Sequence, residues 1–221
     1  MRTFEATRAS FRAGLRLSCR PTVEGIANFP ATGPVIVAPN HLSFLDSVII
    51  QAMMPRKVAF FAKAEYFTTR GPKGAAMRWF FHSVGSIPVE RGEQAASVAA
   101  LQSALDVLER NEAFGIYPEG TRSRDGKLYR GRTGVGWLAL TTGAPVLPVG
   151  LIGTEHLQPA GRMMIRPSHF TVRIGKPLYF KRTGPEHSLP ARRSATDQIM
   201  DAIADLTGQE RSNSYNKTPS A

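Results

Sequence analysis

Within APNHLSFLDSV (38–48) a histidine, His41, and an acid, Asp46, stand five positions apart, with Asn40 and Ser43 beside them. A carboxylate against an imidazole fixes the tautomer and stabilises the protonated ring, leaving the second nitrogen to act as a general base. The spacing alone is weak evidence. Five His and 17 acids among 221 residues supply roughly 0.4 such pairs by chance. On one regular helix the two side chains would lie about 140° apart, so a turn must separate them. If Pro39 ends a strand, His41 occupies the turn and Ser43 caps a helix, then Asp46 falls on the first helical turn and reaches back. A capped helix with a His–Asp hydrogen bond and no chemistry fits the stretch equally well.

Three further segments carry charge where strands end. FAKAEYF (61–67) supplies Lys63, GSIPVER (85–91) supplies Arg91, and YPEGTRSRDG (117–126) supplies Glu119, Gly120, Thr121, Arg122 and Ser123. Open α/β sheets place their ligand crevices at such strand ends. Arginine offers a planar fork and lysine a mobile point charge, which together suit a phosphate. Gly120 is read as letting the backbone approach a ligand and expose amide donors. Taken singly, each cation is an ordinary surface charge. Four such segments in succession make coincidence a poor account.

The elements that must position these residues alternate between helix and strand. A helix over 1–20 precedes an extended stretch at 23–26. Strands are expected at 34–38, 57–63, 84–90, 113–118, 146–152 and 170–178, with helices at 43–53, 74–82, 93–110 and up to Thr142. Ser194 with Asp197 resembles a capping box for a last helix, which Gly208 ends. The pattern predicts an α/β fold: a single domain with a mixed, mostly buried sheet flanked by helices. Residues 1–20 read as a basic amphipathic helix, 21–208 as the domain and 209–221 as a disordered tail.

A net charge of +11 and a pI near 10.4 call for an anionic partner. Arg8, Arg12, Arg16 and Arg20 form a slowly drifting basic stripe on the first helix, with Phe4, Phe11 and Leu15 on another face. Such a helix rests in a lipid interface or is a solvated helix docked by its apolar side. The charge-free run Thr133–Thr154 is interrupted by Gly143, Pro145, Pro148, Gly150 and Gly153, so it reads as helix, turn and strand, not a membrane span. Aromatics lie inside apolar segments instead of between cations, which argues against nucleic acid. One cysteine, Cys19, fits a reducing compartment. His82, His156, His169 and His187 lack metal-ligand spacing, and no metal is expected.

NHLSFLD resembles the NHxSxxD block of the glycerolipid acyltransferases, the 1-acylglycerol-3-phosphate (lysophosphatidic acid) acyltransferase family. YPEGTRS is similar to that family's FPEGTRS block, and GSIPVER and APVLPVGLIGT resemble its second and fourth blocks, in family order. The resemblance implies an acyltransferase in which His41 is the base, oriented by Asp46. Lys63, Arg91, Glu119, Gly120, Thr121 and Arg122 would bind the acceptor and its phosphate, with Arg122 foremost and Asn40, Ser43 and Arg132 in support. It implies direct attack on an acyl thioester, acyl-CoA or acyl carrier protein, with no other cofactor and no acyl-enzyme. The product would be phosphatidic acid. Tyr117 departs from the family's phenylalanine. The expected setting is the cytoplasmic, inner face of an anionic membrane, with peripheral attachment. Acylation of another lysophospholipid, or non-catalytic membrane binding, are the alternatives.

Overall fold

The computed structural model describes residues 2–72, 74–75, 78–79, 86–89, 94–158 and 164–216. Arg91 and most of the helix expected at 74–82 lie outside the described residues. Strands are β1 (Thr22–Glu24), β2 (Val35–Pro39), β3 (Val58–Lys63), β4 (Ile87–Val89), β5 (Ala113–Gly115), β6 (Val146–Ile152) and β7 (Thr171–Ile174). Helices are α1 (Arg2–Cys19), α2 (Asp46–Met53), α3 (Glu65–Thr68), α4 (Gln94–Glu109), α5 (Gly134–Thr142), α6 (Thr154–Leu157) and α7 (Leu189–Thr207).

Among the described residues the sheet runs β1-β7-β6-β2-β5-β3-β4. Strands β6, β2, β5, β3 and β4 are parallel, while β7 is antiparallel to β6 and β1 is parallel to β7. This is the mixed sheet expected. Parallel strands buried on both faces read as continuous apolar runs, and all five residues of β2 are buried.

Alternation along each strand divides the core. Val35, Val37, Phe60 and Leu147 face a layer that includes Ile49, Ile50 and Met53 of α2, with Phe11 and Leu15 of α1 packed against it. Ile36, Ala38, Phe114 and Val146 face a second layer with Val107 of α4, Leu138 of α5 and Ile199 of α7. Each large apolar side chain buried this way contributes roughly 1.5–3 kcal/mol.

The basic stripe of α1 is divided in use. Arg8 donates to Met54 O at 3.1 Å, and Arg12 donates to Ala52 O at 2.5 Å and Met54 O at 3.1 Å. These guanidiniums satisfy carbonyls at the end of α2, where cations are favoured. Burial lowers the Arg12 pKa, assisted by Arg8 and Arg16. Arg16 and Arg20 are exposed.

Two expectations near the C-terminus are corrected. Helix α7 starts at Leu189, capped by Ser188, whose hydroxyl accepts from Ala191 N at 3.3 Å, with Pro190 in the first turn. Ser194 and Asp197 are inside it, and Asp197 pairs with Arg193 at 2.6 Å. Gly208 does end the helix, at φ 67°. Residues 209–216, expected to be disordered, run beside 126–130: Leu128 N donates to Glu210 O, Ser212 N to Leu128 O and Arg130 N to Ser214 O, at 2.9, 2.9 and 3.0 Å. The charge-free run forms α5, a turn at Gly143 with φ 69°, and β6. No described helix is long and apolar enough to cross a membrane.

Candidate active site

Asn40 follows β2 and extends its pairing with β6 through a side chain. Its amide nitrogen donates to Leu151 O at 2.9 Å, and Leu151 N donates to its amide oxygen at 2.7 Å. The buried amide thus imitates one more ladder step and fixes where the chain leaves the sheet. Asn40 is a structural support here, since it is fully buried.

The turn that follows is organised by Asp46 Oδ2. That one oxygen accepts from His41 Nδ1 at 2.9 Å, Leu42 N at 2.7 Å and Ser43 N at 2.8 Å. A carboxylate oxygen only accepts, so the imidazole N–H lies at Nδ1 and its lone pair at Nε2. Asp46 is fully buried, and the His41 side chain is 14% exposed. The expectation that Ser43 caps the helix is corrected. Helix α2 begins at Asp46 after Leu45, with no side-chain cap, and the Ser43 hydroxyl accepts only from Leu45 N at 3.3 Å. Asp46 reaches back across the turn to His41, Leu42 and Ser43.

Below the imidazole lies a column of rings. His41 stacks on Tyr117 with centroids 3.7 Å apart and planes 13° from parallel. Tyr117 in turn meets Phe60 at 5.4 Å. Phe60 occupies space that only a glycine leaves, since a Cβ on Gly115 would stand 2.2 Å from its ring. The Tyr117 hydroxyl and Ser47 Oγ share a 2.7 Å hydrogen bond, joining the first turn of α2 to the end of β5. Burial, then the nearby Asp46 charge, push the Tyr117 phenol well above its ordinary range, while the Ser47 bond acts the other way. Ser47 was not singled out from sequence, although its place beside Asp46 was the available signal.

The basic loop is joined to this turn by its backbone. Ser123 N donates to His41 O at 2.7 Å. Glu119 accepts from His41 N at 3.2 Å and Tyr129 N at 2.9 Å. With 1% exposure and both oxygens occupied, Glu119 ties the loop to the dyad turn; it is not presented to an acceptor. Burial is the main cause of its carboxyl pKa rising from 4.5 to about 7. Asp125 organises the loop tip, accepting from Ser123 Oγ at 3.1 Å and Tyr129 OH at 2.9 Å.

Gly120 also plays a different part from the one expected. Its N–H donates to Tyr117 O at 3.0 Å, so it is not an exposed donor for a ligand. Glycine is required there by φ 76° and by Arg132, whose Cδ and Nε would lie 2.9 Å from a Cβ. Arg122 and Arg132 are exposed and Thr121 is half-buried. Lys63 ends β3 in register with Val89 of β4. The structure therefore joins His41, Asp46, Glu119 and Ser123 directly and sets Arg122 in the same loop. Among the described residues, no group of three or more His, Cys, Asp or Glu is placed to hold a metal ion.

An oriented imidazole at the carboxyl end of parallel strands is able to accept a proton from a ligand bound there. A family model described as Acyltransferase matches residues 20–152, more than half of the chain, and the chain belongs to that family. It is 30% identical over 160 residues to the chloroplastic 1-acyl-sn-glycerol-3-phosphate acyltransferase BAT2 of Brassica napus, covering 71% of this chain and 44% of that protein. The chloroplastic 1-acyl-sn-glycerol-3-phosphate acyltransferase LPAT1 of Arabidopsis thaliana is also 30% identical, over 71% of this chain and 43% of its own. The chain thus spans less than half the length of these relatives. The crystal structure of the 1-acyl-sn-glycerophosphate acyltransferase PlsC from Thermotoga maritima is similar with TM-score 0.64 and 27% identity, covering 95% of this chain and 85% of that one.

Proposed function

We propose that the protein transfers a fatty acyl group from an acyl thioester to the free hydroxyl of lysophosphatidic acid, giving phosphatidic acid. The observation that carries this reading is the 2.9 Å contact between His41 Nδ1 and Asp46 Oδ2, which leaves Nε2 as the basic nitrogen. His41 Nε2 takes the hydroxyl proton as the acceptor oxygen bonds to the thioester carbon, and the carbonyl electron pair moves onto its oxygen. Collapse of this tetrahedral species restores the carbonyl and breaks the C–S bond. The leaving sulfur takes the proton from the imidazolium, returning His41 to neutrality. Asp46 balances the transient positive charge, worth more in a buried site than in water. No acyl-enzyme is involved.

The acceptor phosphate is held by Arg122, with Lys63, Arg91, Thr121 and Arg132 as further contributors. The relatives named for 1-acyl-sn-glycerol-3-phosphate support this acceptor. The donor is acyl-CoA or acyl carrier protein. Phe44, 38% exposed and edge-on to Tyr66 at 6.0 Å, offers apolar surface beside the dyad turn. The protein attaches peripherally to the cytoplasmic face of an anionic membrane, a reading supported by exposed Arg16 on α1 and Arg20 just after it, near Leu17, 87% exposed.

The test is release of free thiol from acyl-CoA and acyl carrier protein with a lysolipid panel. Acceptor-dependent release, fastest with lysophosphatidic acid, is expected. A folded protein that releases thiol with no acceptor in the panel would end the acyltransferase reading, and a faster acceptor lacking a phosphomonoester would replace lysophosphatidic acid.

A further inference from the structure

The segment that follows Gly208 returns to the basic loop and touches it at several points. Gln209 accepts from the Asn40 amide at 2.8 Å and donates to Gly126 O at 2.6 Å. Lys127 pairs with Glu210 at 2.6 Å, and Asn216 donates to Arg122 O at 3.0 Å. Tyr215 is the side chain at which the strap meets two of the loop's arginines. Its ring lies 5.4 Å from the Arg130 guanidinium carbon and 5.7 Å from that of Arg132, within the range of cation–π attraction.

These contacts share one consequence. Arg132 crosses Gly120 with its stem and ends at Tyr215, while Arg122, two residues after Gly120, is tied by its carbonyl to Asn216. Long cationic side chains on an exposed loop otherwise sample many rotamers, and ordering them costs free energy when a ligand binds. A ring that already holds two guanidiniums removes part of that cost. The ring is 45% exposed, so the guanidiniums are arrayed near solvent instead of being enclosed.

We infer that the strap 209–216 is part of the acceptor site and that Tyr215 is a positioning residue for its phosphate, pre-ordering Arg130 and Arg132 beside the loop of Arg122. The inference rests on the acyltransferase reading for its substrate, and on the strap's own contacts for its geometry.

The experiment compares the full-length wild type, Tyr215→Ala and Tyr215→Phe in three measurements. In acyl transfer, Tyr215→Ala should raise the KM for lysophosphatidic acid by about three- to tenfold, the scale of one or two cation–π contacts. Tyr215→Phe should restore it, and the KM for the acyl donor should not move. With monoacylglycerol, which lacks the phosphate, the two variants should match the wild type. In calorimetric binding of glycerol 3-phosphate, which needs no turnover, Tyr215→Ala should weaken affinity by a similar factor. Amide exchange at Leu128 and Arg130 should stay protected in Tyr215→Ala. A lysophosphatidic acid KM equal to wild type in Tyr215→Ala, or an equal loss with monoacylglycerol, would overturn the inference while leaving the acyltransferase reading intact. Wild-type protein that binds glycerol 3-phosphate in a Tyr215-dependent way but transfers no acyl group would overturn the acyltransferase reading alone. Wild type that does neither would overturn both.

Discussion

The dyad turn and the basic loop meet along one hydrogen-bonded seam, yet they are held in opposite ways. In the turn, Asp46 Oδ2 gathers donors from His41, Leu42 and Ser43, all within five residues of it. The loop has local bonds at its tip, Ser123 and Tyr129 to Asp125, but it is anchored by partners far along the chain: Glu119 on His41, Arg130 on Ser214 and Arg122 on Asn216. A turn closed by its own residues keeps its shape when distant segments change. A loop held from outside is adjustable through each of those segments. Substitutions in the turn should therefore damage the chemical step, and substitutions in the loop should damage acceptor binding.

The sharpest way to break this contrast is at the base. His41→Ala should lower kcat by about a thousandfold or more, with Tm falling only a few degrees, because the lost stack on Tyr117 and lost bond to Asp46 leave the carboxylate its Leu42 and Ser43 donors. Near-wild-type turnover would remove His41 from the mechanism. Asp46→Asn should cost about a hundredfold in kcat, since the amide can present the wrong partner to Nδ1.

Glu119 tests the seam through stability. Its carboxyl has a folded pKa of about 7 against an ordinary 4.5, so between those values the folded state keeps a proton that the unfolded chain has lost. Stability should fall as pH rises across that window and then level off, by no more than about 3 kcal/mol from this group. In Glu119→Gln that component should vanish. Urea midpoints at pH 5 and 8 measure it, and an unchanged difference would count against the assignment.

Arg122→Ala should raise the KM for a phosphate-bearing acceptor about tenfold, with a smaller change in kcat. Loss confined to kcat would make the loop part of the chemistry and dissolve the contrast. The smallest effect is expected at Tyr117→Phe, which keeps the stack under His41 and loses the Ser47 bond: kcat within about threefold of wild type. A much larger loss would show that the hydroxyl, and not the ring, holds the imidazole in place.

Much of the frame was legible in advance. Strand β6 spans the VLPVGLI expected, and β3 fills all but the first residue of its expected range. Gly208 closes α7 as a C-terminal glycine should. The His41–Asp46 contact was legible because both partners lie in one turn, where residue type and spacing determine what can meet. Ser43 was misassigned because the residue before the first helical position is Leu45: the Ser43 hydroxyl accepts from Leu45 N inside the turn, while Asp46 turns back to Leu42 N and Ser43 N.

Residue type and local spacing were thus enough to specify the alternating elements and the buried strands, and to mark His41 and Asp46 as a candidate pair. They did not reveal that Arg8 and Arg12 serve carbonyls of α2, that Glu119 faces inward, that Gly120 uses its own N–H, or that residues 209–216 strap the loop. Each of these depends on which distant segment packs against the residue. A long charged side chain carries no periodic signature of that neighbour. Packing supplied the partners, and with them the difference between a cation held in the framework and one left exposed.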